Sequence, residues 1–425
     1  MTQGVSTEQP TAPKLSAARG LSAAVISRFL ARALGLVFAV IVARSASQST
    51  FASYSYLLVL AALVSMVTES GVSLVASREV AQRSLSVADA YRAGLPVVVG
   101  MSAVTALLVY AFGLVDNGPG TFGWPLFWTS AFIGVNVLFN FQAGLLRAQG
   151  MPWLEAGLQM LASLALVGGG ILVLTVDWGL AALMAILLAK QLVVVGLAQI
   201  WLPSPHRGKA TRERSLDLLR RGLWLGAATA CAGILLRASY VTLGNVGDDA
   251  TVATYSVAAR ILEVVVLIGQ TVGYGLLPAM AERSATGGLG AYHRRFVRML
   301  AVLIVGLPVA VLLTPPAVRL AFGSQYDGAS TAAQIYCGAI PIVLALYLAW
   351  YALVAIGRER DVLRGAAFGA LVSIVMIVPV IAEPTATMVA LATVVPLSAC
   401  AAFLWWQVVR DHVDADAVPS WLPAG

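Results

Sequence analysis

Arg28, Arg32, Lys190, Arg237, Arg260 and Glu263 stand inside long apolar runs of this chain. The guanidinium is a planar fork of donors that matches carboxylate and phosphate oxygens, and it keeps its charge in any protein setting. Arg28 and Arg32 are four residues apart and share one face of a helix. Arg260 and Glu263 are three apart. If the runs cross a bilayer, each basic residue turned to lipid at mid-depth costs about 2.5–3.5 kcal/mol or more. One acid cannot neutralise five cations. The set therefore reads as the lining of a hydrated basic cavity, which would attract an anionic or amphipathic ligand. Each residue also has a plainer reading. Arg28 could snorkel to the surface. Lys190 could bond backbone carbonyls or snorkel. Arg260 and Glu263 could simply pair on their own helix. Arg32 and Arg237 are harder to account for in this way.

Catalytic chemistry finds little support. Cys231, Cys337 and Cys400 lie in apolar runs without metal-ligand spacing. His206, His293 and His412 fall on one side of the chain's topology, in or next to loops. The chain has no paired carboxylates, phosphate loop or nucleophile–base constellation. No catalytic residue, metal or other cofactor is expected, which disfavours a membrane enzyme of glycan assembly.

The elements that must position these charges are apolar helices. The 425 residues are 59% hydrophobic and only 11% charged, with net charge +7 from 24 Arg and 3 Lys. Soluble domains carry about 25% charged residues. A chain this poor in charge is solvated by lipid, and its positive excess fits loop topology better than nucleic-acid binding. A spanning helix needs about 20 mostly apolar residues. Such runs are predicted at 21–43, 53–71, 94–115, 124–146, 153–175 and 178–201, then at 222–243, 252–279, 297–314, 329–354, 363–382 and 386–408. The ninth is interrupted by Pro315 and Pro316 before Phe322. Residues 1–18, which lack the layout of a cleaved signal, and 411–425 read as disordered tails.

The loops are asymmetric. One side collects Arg78, Arg83, Arg92, Arg147, Arg207, Lys209, Arg212, Arg214, Arg220, Arg221, Arg283, Arg294, Arg295, Arg298, Arg358, Arg360 and Arg364. The other has Arg44 and Arg319 among the acids Asp116, Asp177, Asp248, Asp249, Asp327 and Glu383. The positive-inside rule makes the first side cytoplasmic, with both termini there and an even number of spans. There is also an internal repeat. Arg19-Gly20-Leu21, Phe51-Ala52-Ser53-Tyr54-Ser55 and Ala81-Gln82-Arg83-Ser84 recur as Arg221-Gly222-Leu223, Val252-Ala253-Thr254-Tyr255-Ser256 and Ala281-Glu282-Arg283-Ser284, at an offset of about 201 residues. Six helices separate the copies, so the repeat is parallel and its pseudo-axis lies along the membrane normal. The expected domains are bundles at 19–202 and 222–410, joined by a basic connector at 203–221.

Several local patterns resemble a known family. They are Glu69-Ser70-Gly71 followed by Ser77-Arg78-Glu79-Val80-Ala81, then Leu146-Arg147-Ala148-Gln149-Gly150. The segment Ala253-Thr254-Tyr255-Ser256-Val257-Ala258-Ala259-Arg260-Ile261 and the loop Ala321-Phe322-Gly323-Ser324-Gln325-Tyr326 complete the set. In order and spacing they resemble the Wzx-type polysaccharide-biosynthesis flippases of the multidrug/oligosaccharidyl-lipid/polysaccharide (MOP) exporter superfamily, over nearly all of residues 19–410. The resemblance implies an all-α membrane protein of twelve helices, in two six-helix bundles set as a MATE-like V, in the inner (plasma) membrane. It implies alternating access and a polyprenyl-diphosphate-linked oligosaccharide as cargo, for surface polysaccharide or cell-envelope biosynthesis. Arg28, Arg32, Lys190, Arg237 and Arg260 would hold the diphosphate, with Arg28 and Arg32 meeting it first and the others at greater height. Glu263 would be a coupling or pairing acid. Implied partners are membrane lipids and other glycan-assembly membrane proteins, with no nucleic acid. The family often carries an Asp soon after a basic residue of the seventh helix; here Ala238 and Ser239 follow Arg237. A multidrug or small-metabolite exporter of the same superfamily is the alternative. Its usual cationic cargo would be repelled by a basic cavity. Lipid II flippases usually carry two further helices.

Overall fold

A backbone that crosses lipid finds no water for its N–H and C=O groups, so apolar runs must satisfy those groups internally. The computed structural model does so with helices, and no strand occurs among the described residues. It describes residues 14–68, 71–81, 83–121, 123–203, 212–284, 290–355 and 358–416, and their side chains outside 14–28, 81, 112–121, 274–284, 290–305 and 411–416. The first half runs α1 (Lys14–Ser45), α2 (Gln48–Thr68), the short α3 (Val72–Ala81), α4 (Val87–Thr121), α5 (Gly123–Ala148), α6 (Pro152–Val176) and α7 (Gly179–Trp201). The second runs α8 (Arg212–Val246), α9 (Asp249–Ser284), α10 (Gly290–Phe322), a 3-10 turn (Ser324–Ala329), α11 (Ser330–Gly338), α12 (Ile340–Ala355), α13 (Glu359–Val375), α14 (Ile377–Ala382) and α15 (Ala386–Asp416).

Nine helices among the described residues are long and apolar enough to span a bilayer, and a tenth span is α11 with its turn, joined to α12 at a bend of 43°. The long helices α1 and α10 complete the expected twelve. The outer surface is apolar, with Leu107, Leu312, Leu320 and Leu371 all more than 60% exposed, which suits lipid. Exposed tryptophans form two rings. Trp153, Trp201, Trp224 and Trp406 lie at the face that carries the basic loops, and Trp124 and Trp178 at the opposite face. Their amphipathic rings match the two headgroup levels.

The structure corrects several boundaries. Helix α1 begins at Lys14, inside the segment read as a tail, and α15 continues to Asp416. The loop after α2 contains α3. The ninth span is not interrupted: α10 runs through Pro308, Pro315 and Pro316. A proline has no N–H to give the carbonyl four residues before it. At Pro315 that carbonyl belongs to Val311, and Gln334 of α11 donates its side-chain N–H to it at 3.2 Å. The same repair serves Pro396 in α15, where the Ser239 hydroxyl donates to the Ala392 carbonyl at 3.3 Å. The tenth and eleventh spans do break, at Ala339 and Met376. Each break precedes a proline, Pro341 or Pro379.

One seam joins the halves along most of the bilayer depth, where α2 packs against α8 and α9. At its basic-face end Gly71 adopts φ +67°, and a Cβ there would stand 2.3 Å from the Gly222 carbonyl oxygen. Further along, Leu63 and Met66 lie over Gly233, and the Tyr56 ring lies on Gly244. The Tyr56 hydroxyl donates to Asn245 at 3.3 Å. Polar ties cross the halves at both faces. Arg78 pairs with Glu359 at 3.0 Å, and Arg221 pairs with Glu79, on the basic face. On the opposite face Arg44 donates to the carbonyls of Leu320 and Ala321, while Gln325 and Tyr326 donate to that of Ala43. Since Gly71 combines left-handed backbone with direct backbone contact, Gly71→Ala should lose roughly 2 kcal/mol or more. A melting temperature in detergent equal to wild type would contradict this. Gln334→Ala, which strands one carbonyl, should cost about 1 kcal/mol by the same measurement.

Candidate functional site

The charged residues of the apolar runs come from four helices. Arg32 lies on α1, Lys190 on α7, Arg237 on α8, and Arg260 with Glu263 on α9. The side chain of Arg28 lies outside the described residues. Counted from the helix ends at the face opposite the basic loops, Arg32, Lys190, Arg237, Arg260 and Glu263 are 13, 11, 9, 11 and 14 residues deep. At about 1.5 Å per residue this puts all five within one or two helical turns of a common level. Within that narrow band Arg32 lies furthest from the opposite face and Arg237 nearest to it, the order read from the sequence, but the four cations span only four residues of depth.

The cluster is coupled across the halves. Glu263 feels the charges of Arg260, Arg237 and Arg32. Arg237 feels Arg32 and Arg260 as well as Glu263, and Lys190 feels Arg32. Among the described residues Arg260 makes the ion pair of the group, from Nη1 to Glu263 Oε1 at 3.2 Å and Oε2 at 3.0 Å. In that pair the Arg260 side chain is 11% exposed and that of Glu263 is 37%. The Nε atoms of Arg237 and Arg260 are buried and bond no described protein group. Lys190 Nζ lies 6.0 Å from the centroid of the Phe132 ring, at the outer limit of a cation–π contact.

Tyrosines surround these charges. Tyr54 is buried within electrostatic reach of Arg260 and Glu263, and Tyr255 within reach of Arg237 and Glu263. These two residues occupy the same place in the internal repeat, so each half contributes one phenol to the centre. Tyr255 and Tyr336 share a hydrogen bond of 2.5 Å between their hydroxyls, and the Tyr240 hydroxyl is bonded to that of Ser256. Tyr347 accepts from Gln270 at 3.0 Å. Sequence reasoning singled out the cations and missed the phenols. Their signal was present: a Tyr-Ser dipeptide repeated in register at an offset of about 201 residues.

Chemically, the cluster is a set of forked donors in a low-dielectric setting, short of acids and bordered by neutral donors. It can hold an anion. The model of the family described as polysaccharide biosynthesis protein matches residues 17–284. The chain belongs to that family. No curated protein matches its sequence. Among solved structures, an inward-facing multidrug resistance MATE family transporter of the MOP superfamily superposes with TM-score 0.74 at 14% identity. It covers 93% of this chain and 100% of its own. The lipid II flippase MurJ, in an inward closed conformation, gives TM-score 0.74 at 16% identity over 91% of this chain and 88% of MurJ. A mutant of a Vibrio cholerae MATE transporter gives 0.66 at 14% identity, over 94% and 98%. At such identities the likeness is one of fold. It gives this member of the polysaccharide biosynthesis family the fold of those solved membrane proteins, a multi-pass bundle of apolar helices.

The Arg260–Glu263 pair lies between the exposed and the fully buried limits. A double-mutant cycle of Arg260→Gln and Glu263→Gln should therefore give a coupling energy of roughly 1–3 kcal/mol from unfolding in detergent. A coupling near zero would mean that the pair does not organise the cluster.

Proposed function

We propose that the protein translocates a polyprenyl-diphosphate-linked oligosaccharide from the cytoplasmic to the outer leaflet of the plasma membrane by alternating access. The observation that carries this reading is the convergence of Arg32, Lys190, Arg237 and Arg260 from both halves at one level inside a bundle of this family. The basic loops mark the cytoplasmic face and place both termini there. The diphosphate is the part of the cargo least able to cross hydrocarbon. Arginine forks replace its hydration with charge-assisted hydrogen bonds. Lys190 adds a point charge and Arg28 guides the headgroup inward. The prenyl chain stays in lipid, where the apolar helix surfaces need no adaptation. Rocking of the bundles 19–202 and 222–410 then exposes the headgroup to the other side. A multidrug role fits less well, because cations would be repelled by the same cluster.

The ties at the two faces must open in turn during such a cycle. An Arg78→Cys/Glu359→Cys double variant bridged by a cleavable bifunctional thiol crosslinker should lose translocation and regain it when the linker is cleaved, since two cysteines there replace long side chains that meet only at their tips; full activity with the bridge in place would exclude opening at that place. For the cargo itself, Arg32→Ala and Arg237→Ala should each abolish export at normal protein level, with lipid-linked glycan accumulating on the cytoplasmic leaflet. Lysine at either position should restore export only in part, since it carries the charge without the fork. Normal export in both alanine variants would overturn the diphosphate site.

A further inference from the structure

The cluster poses an electrostatic problem for an empty carrier. Arg32 and Lys190 belong to the first six spans, Arg237 and Arg260 to the second. Arg32 and Arg237 already feel each other across the halves. Like charges brought together in a poorly screened interior oppose closure. With a diphosphate between them the repulsion becomes attraction. After release there is no such anion, yet the protein must close and reopen empty before it can take another cargo.

Glu263 has the placement to meet that need. It is the carboxylate on which Arg260, Arg237 and Arg32 all act, so its field reaches both halves. Among the described residues it is held from one side only. Both of its oxygens bond the single Nη1 of Arg260, while its side chain remains 37% exposed. Meanwhile the buried Nε atoms of Arg260 and Arg237 stay unbonded to described protein groups, so the guanidiniums keep donors for a second anion. A purely structural pair would need Arg260 alone and would be expected to bury both partners.

We propose that Glu263 is the internal counter-ion of the empty carrier: it screens the cationic cluster when the halves close without cargo, and yields Arg260 and Arg237 to the diphosphate when cargo binds. This rests on the anionic cargo proposed above. Glu263 then limits the return step and not the loaded step. Neutralising it leaves the loaded protein able to cross while the empty one stalls.

The test separates the two steps in liposomes holding the purified full chain, with a fluorescent polyprenyl diphosphate as probe. Net translocation starts with the probe in one leaflet only and requires empty return. Exchange starts with unlabelled polyprenyl diphosphate saturating both leaflets, so the protein crosses loaded in both directions. Glu263→Gln should slow net translocation roughly tenfold relative to wild type while exchange stays within about twofold. Preserved exchange also shows that the variant is folded. Glu263→Asp keeps the charge and should keep the wild-type ratio of net to exchange rates. A wild-type ratio in Glu263→Gln, or a depressed ratio in Glu263→Asp, overturns the inference and leaves the cargo assignment standing. A wild-type protein that moves the probe in neither mode overturns the cargo assignment and this inference with it.

Discussion

A charge inside a low-dielectric layer must be compensated or it will not stay there. Much of this molecule follows from that constraint. Five ionisable side chains from four helices meet at one level, and only one of them is an acid. The helices that carry them belong to both halves, so the two bundles share one electrostatic centre. Tyrosines and serines close the surrounding space without adding charge. The ion pair of Arg260 with Glu263 lies within α9 and sets that acid against one of the cations.

The backbone obeys the same rule. Prolines stand inside α10 and α15, where each removes a hydrogen bond from a helix that has no water to replace it. The freed carbonyls of Val311 and Ala392 accept from Gln334 and Ser239 on neighbouring helices. Where the chain breaks instead, at Ala339 and Met376, a proline follows within a few residues. Polar side chains in the interior thus serve the backbone as well as the cluster. Ser239, two residues from Arg237, links the two roles.

The seam between α2 and α8 brings the halves together. Gly71, Gly233 and Gly244 let backbones and rings approach closely, which favours packing where no hydrophobic effect drives helices together. The seam is flanked by polar ties at both faces: Arg78 with Glu359 at one, Arg44 with the end of α10 at the other. Such ties are individually weak at exposed positions. They suit a joint that holds without locking.

The sequence by itself determined the solvent, the number of spans, the sidedness of the loops and the presence of unexplained cations. Those properties depend on composition and on periodicity along one segment, and lipid imposes them locally. The repeat also marked Tyr54 and Tyr255 as equivalent, although their place beside the charges was not legible. Only the tertiary structure decided that Arg32, Lys190, Arg237 and Arg260 share a level. It alone showed that the described contact of Glu263 is with Arg260, that Gln334 serves Val311 and that Gly71 lies against Gly222. Apart from that contact within α9, each of these depends on where two helices cross, and helix crossing is set by side chains up to hundreds of residues apart in the chain. No pattern within a single run records it.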